Sequence, residues 1–118
     1  MSDNNTTGNK GEALAAGWLQ QQGYAILEQN WRHKRCEVDI IATRQNRLHF
    51  VEVKTRTSTI FGLPEESINR TKMNCLKQAA LAYQAQNNTW VLLQFDVLSI
   101  NLHAGKPDEY FLIEDVFF

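Results

Sequence analysis

Two segments rich in β-branched and aromatic residues, 36–43 (CEVDIIAT) and 47–55 (RLHFVEVKT), carry Asp39, Glu52 and Lys54. The turn-like Arg44-Gln45-Asn46-Arg47 separates them and predicts a β-hairpin. Side chains alternate faces along a strand. Glu37, Asp39 and Ile41 then share one face, as do Leu48, Phe50, Glu52 and Lys54. Closing the hairpin symmetrically about Gln45-Asn46 pairs Thr43 with Leu48, Ile41 with Phe50, Asp39 with Glu52, and Glu37 with Lys54. Opposed side chains have Cβ atoms about 4.5–5.5 Å apart, and like charges so placed are destabilising. A divalent cation between Asp39 and Glu52 would relieve that repulsion. Mg²⁺, with Mn²⁺ as a substitute, is a hard cation that takes carboxylate oxygens and few protein ligands. Such a centre suits phosphodiester hydrolysis, because the metal polarises a phosphoryl oxygen and acidifies a bound water. Lys54 is placed to orient that water or to stabilise charge developing at phosphorus. A Glu-x-Lys triplet alone is close to chance, and its bland counterpart is a solvated strand face with a weak ion pair. Asp39 opposite, and Ile41 and Phe50 beside it, set the triplet against a core and lift it above that background.

The remaining elements must position these groups. Apolar spacing predicts a helix over 9–22, with Leu14, Ala15, Trp18 and Leu19 on its buried arc. Gly23 suits the left-handed position that ends a helix. Glu12 falls at the edge of the arc, so its carboxylate points towards the protein body and could complete the metal shell directly or through water. A first strand is predicted at 24–28 and a loop at 57–64. A second helix over 69–86 carries Met73, Leu76, Ala80 and Tyr83 on one face. Lys72 lies on that apolar arc in the first turn, where a cation opposes the helix dipole. Contact with DNA or a metal-bound phosphate would explain it, and so would a snorkelling side chain. A strand at 90–100, a turn at 103–108 and an edge strand at 110–117 complete the order α-β-β-β-α-β-β. That order predicts an α/β fold with a mixed sheet flanked by helices. Residues 1–8 read as a disordered lead, and 9–118 as a single domain.

At 118 residues, 43% hydrophobic and with Phe 6, Trp 3 and Tyr 3, the chain can build one core. A net charge of −1 argues against a non-specific DNA coat protein, which needs many cations. A local basic patch remains compatible with it. Arg32, His33, Lys34 and Arg35 form a basic run before the hairpin, and Arg56 follows Lys54. Singly these read as solvated residues. As a group, Arg32, Arg35 and Arg56 flank the strands that bear the carboxylates and could contact phosphates. Cys36 and Cys75 lack metal-ligand spacing. With no signal-like segment and no apolar run of about 20 residues, a soluble cytoplasmic protein with free thiols is expected.

Several strings resemble a known family in order over nearly the whole chain. They are GNKGEALAA at 8–16, Asn30-Trp31-Arg32, EVDII at 37–41, FVEVKTR at 50–56, Phe61-Gly62 and Phe95-Asp96-Val97. Together they resemble the bacterial YraN-type family of predicted endonucleases. That family is similar to archaeal Holliday-junction resolvases and to the PD-(D/E)XK, restriction-endonuclease-like nucleases. The resemblance implies a restriction-endonuclease-like fold and Mg²⁺-dependent cleavage of DNA, with branched or recombining DNA as one substrate class. It implies Asp39 and Glu52 as metal ligands, Lys54 as the catalytic lysine and Glu12 as the helix-borne acid. Cys36 stands where that family usually has glycine. A non-catalytic nucleic-acid-binding or protein-interaction module on the same fold is the alternative, but it has no need for all four of Glu12, Asp39, Glu52 and Lys54. A homodimer would suit a two-strand cut.

Overall fold

A computed structural model describes residues 6–56, 70–87, 92–103 and 105–116, with residues 6–9 described as backbone alone. The elements are α1 (Thr6–Gln21), β1 (Ala25–His33), β2 (Cys36–Arg44), β3 (Arg47–Arg56), α2 (Arg70–Gln86), β4 (Leu92–His103) and β5 (Lys106–Ile113). The strands form one sheet in the order β1-β2-β3-β4-β5. Only β3 and β4 pair parallel. Parallel neighbours need a crossover connection, and α2 lies in it. The α/β architecture with a mixed sheet flanked by helices is therefore the one expected.

Helix α1 ends as its sequence predicts. Gly23 has φ 95°. The Tyr24 amide donates to the Leu19 carbonyl at 3.0 Å and the Gly23 amide to that of Gln20 at 3.1 Å. This is a Schellman cap, and its apolar seal is Tyr24 with Leu19, both in the core. The helix begins at Thr6, so residues 6–8, expected in the lead, are helical. A polar terminal turn carries no apolar period that could reveal it. Residues 1–5 and the predicted loop at 57–64 lie outside the described residues.

The core divides into two clusters, one with each helix. Ile40, Ala42, Val51, Leu98 and Ile100 pack with Ala15, Ala16 and Leu19 of α1. Val38, Ile41, Leu48 and Phe50 pack with Leu76, Ala79, Ala80 and Tyr83 of α2. Gln45 (φ 54°) and Asn46 (φ 64°) close the β2–β3 hairpin in left-handed conformation, the requirement of a type I′ turn. Strand β1 runs five residues past its predicted end. The polar run Gln29-Asn30 hides this continuation, as do a register shift between Ile26 and Glu28 and a left-handed Asn30 (φ 54°). The first part of the basic run therefore lies in a strand, and Lys34-Arg35 form the turn to β2. Lys34, not Cys36, takes the left-handed conformation there (φ 57°).

Cys36 and Cys75 form a disulfide, with Cα atoms 5.3 Å apart. This corrects the expectation of free thiols. The two residues are 39 apart in sequence, and only the docking of α2 on β2 brings them within bonding range.

One close approach holds α1 on the sheet. A Cβ built on Gly11 would lie 2.9 Å from the Thr55 Cβ in β3. Neither group ends a flexible chain, so α1 would have to lift off β3. Gly11→Ala is expected to lower stability by about 1–3 kcal/mol, although alanine is the better helix former. Urea denaturation of Gly11→Ala, alone and with Thr55→Ala, checks this: the second change should recover part of the loss.

Candidate active site

The β2–β3 ladder runs from Arg44↔Arg47 through Thr43↔Leu48 and Ile41↔Phe50 to Ile40↔Val51, where it ends. The predicted register holds over this length. The next predicted pairs, Asp39 with Glu52 and Glu37 with Lys54, are not rungs of the ladder. At that point the Asp39 side chain takes over: its Oδ2 accepts the Val53 amide at 2.8 Å. Beyond this bond the strands give way to a cavity of about 410 Å³. Arg35, Glu37, Asp39 and Glu52 form one side of it, and Thr71, Lys72, Cys75 and Leu76 of α2 the other. The two carboxylates therefore face one space, although the contact geometry differs from a cross-strand pair.

Glu52 is 6% exposed and carries the densest charge contacts of the site. Its Oε2 pairs with Lys54 Nζ at 3.3 Å and with the Lys72 ammonium from α2. Lys54 thus pairs within its own strand rather than with Glu37, which pairs with Arg32 at 3.7 Å. Burial and the neighbouring Lys72 push Lys54 below the usual lysine range, against the pull of Glu52. Burial is the largest single influence on Lys72 and lowers it, but the bonds to Glu52 and Lys54 and the charges of Glu52 and Asp39 together outweigh this and raise it. Burial, then the Glu52 charge, push Asp39 up to about 7; the Val53 amide opposes them, and the Glu12 and Glu37 charges add to the rise.

The raised Asp39 sets a pH dependence for the metal-free protein. Its folded pKa lies above its ordinary value of 3.8, so the folded chain binds the proton more tightly than the unfolded chain does. The stability this contributes is fully present below about pH 4 and is lost as pH rises through about 7. Each unit is worth about 1.4 kcal/mol. Asn keeps an acceptor for the Val53 amide without the charge, so Asp39→Asn should abolish most of this loss. In EDTA, the variant's advantage in unfolding midpoint should grow from pH 4 to pH 8.

The other predicted residues fall at different distances from the cavity. Glu12 is half-buried on α1, outside the cavity wall, yet close enough for its charge to raise Asp39. Arg35 lines the cavity, while the Arg32 side chain is 68% exposed and flanks it through Glu37. Arg56 closes β3, two residues past Lys54. Thr71, Cys75 and Leu76 were not anticipated as wall residues. The signal for Cys75 and Leu76 is helical spacing, since positions three and four after Lys72 share its face; Thr71, directly before Lys72, has no such signal.

Among the described residues, no three His, Cys, Asp or Glu side chains form a ready metal cage. The donor set nevertheless suits a sparsely ligated hard cation. Asp39 and Glu52 face one cavity with Glu37; Glu52 already holds a cation in the form of the Lys72 ammonium, and burial and the Glu52 charge raise Asp39. Among the described residues, no helix is long and apolar enough to cross a membrane.

Comparison with known sequences shows what the chain is similar to. The pattern described as "Uncharacterised protein family UPF0102" matches residues 11–100, which span α1 to β4. A UPF0102 protein of Flavobacterium psychrophilum is 39% identical over 100 residues, covering 85% of this chain and 84% of that protein. One from Christiangramia forsetii is 39% identical over 119 aligned positions, covering 100% and 98%. One from Chlorobaculum parvum is 45% identical over 103, covering 86% and 78%.

Proposed function

The chain belongs to the uncharacterised protein family UPF0102, and on that footing we propose that it is a divalent-metal-dependent endonuclease that hydrolyses DNA phosphodiester bonds. The observation that carries this reading is the meeting of Asp39, Glu52 and Lys72 at one cavity where the β2–β3 ladder stops, with Lys54 paired to Glu52. Asp39 and Glu52 would hold Mg²⁺ or Mn²⁺, with Glu12 contributing from α1 through water. The bound ion supplies Lewis-acid activation of the phosphoryl group and of an attacking water. Lys54, anchored by Glu52, orients that water and offsets charge at phosphorus. Lys72 and Arg35 give the cavity cationic groups for the flanking phosphates, with Arg32 and Arg56 extending the path. The fold of the described elements is consistent with a restriction-endonuclease-like nuclease. A two-strand cut would take two copies of the chain. The resemblance to junction resolvases makes branched DNA the first substrate to try.

The test is incubation with linear, flapped and four-way DNA in Mg²⁺, Mn²⁺ or EDTA. Metal-dependent cuts, with the branched substrates preferred, are expected. DNA bound but uncut on every substrate would replace the enzyme reading with the non-catalytic binding module.

A further inference from the structure

The disulfide takes no part in the proposed reaction, yet it ties together the two sides of the cavity. Cys36 opens β2, directly before the wall residue Glu37. Cys75 is itself a wall residue, three positions after Lys72 on α2. Cys75 packs half-buried against the core, and full burial of α2 begins at the next position: its buried residues are Leu76, Ala79, Ala80 and Tyr83. Before them Arg70, Thr71 and Asn74 are exposed, and Lys72 and Met73 are half-buried. The first turn carries Arg70 and Lys72 and no acidic residue, so its charges oppose the helix dipole. A helix end with few apolar contacts opens locally at low cost. The disulfide and the Lys72–Glu52 ion pair tie this stretch to β2 and β3.

We propose that Cys36–Cys75 is a redox-modifiable brace, which when closed holds the first turn of α2, with Lys72, over Glu52, and when opened by a dithiol reductant releases that turn from the cavity. A thiolate of the reductant attacks the Cys75 sulfur at the cavity wall, and Cys36, 7% exposed, leaves as a thiolate and takes up a proton. The second thiol of the reductant then displaces Cys75, which is protonated in turn. The reductant ends as a disulfide and the protein as two thiols, a two-electron exchange. The effect on the helix stands on the geometry alone. The effect on cleavage rests on the nuclease reading.

Hydrogen exchange of the full chain in EDTA tests the brace, comparing protein oxidised with diamide, the same protein reduced with dithiothreitol, and Cys75→Ser. The oxidised form should take up no iodoacetamide and the reduced form two equivalents. On reduction, amides of 71–75 should exchange roughly tenfold faster or more, while those of 79–86 stay unchanged. Cys75→Ser should match the reduced form whatever the oxidant. Mg²⁺-dependent cleavage should fall several-fold on reduction and return on reoxidation. Failure of diamide to join the cysteines, unchanged exchange at 71–75, or a uniform rise along the chain would overturn the brace. Local acceleration with no cleavage in either state upholds the brace and removes the nuclease reading. Cleavage with identical exchange in both states removes the brace alone.

Discussion

Asp39→Asn and Lys54→Ala are expected to cut Mg²⁺-dependent DNA cleavage by on the order of 10²–10³-fold, the loss that follows removal of one preorganised charge-stabilising group. They should do so for different reasons. Asp39 is one of three carboxylates on the cavity, with Glu37 and Glu52, and its charge is already held in check by burial and by Glu52. Replacing it leaves Glu37, which pairs with Arg32, and Glu52, which is engaged with two ammonium groups, so the divalent ion should be lost with the activity. Lys54 supplies positive charge beside that carboxylate at 3.3 Å. Removing it should leave ion binding intact while the chemical step fails. Cleavage assays paired with Mn²⁺ binding separate the two cases. Neither change should unfold the protein: asparagine preserves an acceptor for the Val53 amide, and Lys54 is only half-buried.

The second large effect lies away from the cavity. Asp96 is 1% and His49 2% exposed. Asp96 Oδ2 lies 2.8 Å from His49 Nδ1, while its Oδ1 accepts the Gln94 amide group at 3.0 Å and the Asp115 backbone amide at 2.9 Å. This carboxylate therefore ties β3 to β4 and anchors the residues that follow β5. Asp96→Ala would leave the buried His49 and Gln94 groups without their acceptor and release the part-buried Asp115 amide. A loss of about 3–5 kcal/mol is expected, a drop in melting midpoint on the order of 10–20 °C. Asp96→Asn, which keeps one acceptor oxygen, should cost less. Thermal melts of both variants check the order.

The contrast between these two sites shows what local sequence could carry. Two adjacent left-handed residues, Gln45 and Asn46, fix the β2–β3 register. From that register follow the faces of Ile41, Phe50, Glu52 and His49. The point where the ladder ends was not legible, because a side chain, Asp39, replaces a backbone partner there, and no residue type announces this. Alternation set His49 on the face opposite Glu52, where it stacks edge-on with Tyr24 of the α1 core. Its pairing with Asp96 depends on the parallel β3–β4 register, which a crossover through α2 sets and no local pattern reveals. The same holds for Cys36–Cys75 and for the meeting of Lys72 with Glu52: each needs α2 docked on the sheet. The arc of α1 set Glu12 facing inward. How far it reaches towards Asp39 depended on the close packing of Gly11 against Thr55.

The most direct test of the central claim is Mn²⁺ binding to the metal-free protein, followed by electron paramagnetic resonance, in wild type, Asp39→Asn and Glu52→Gln. An ion bound at the cavity of each wild-type chain is expected. Both variants should bind it more weakly by more than about 10–100-fold, the loss that follows even from changing an outer-shell partner. Equal Mn²⁺ affinity in all three proteins, or no binding by the wild type at millimolar Mn²⁺, would contradict it.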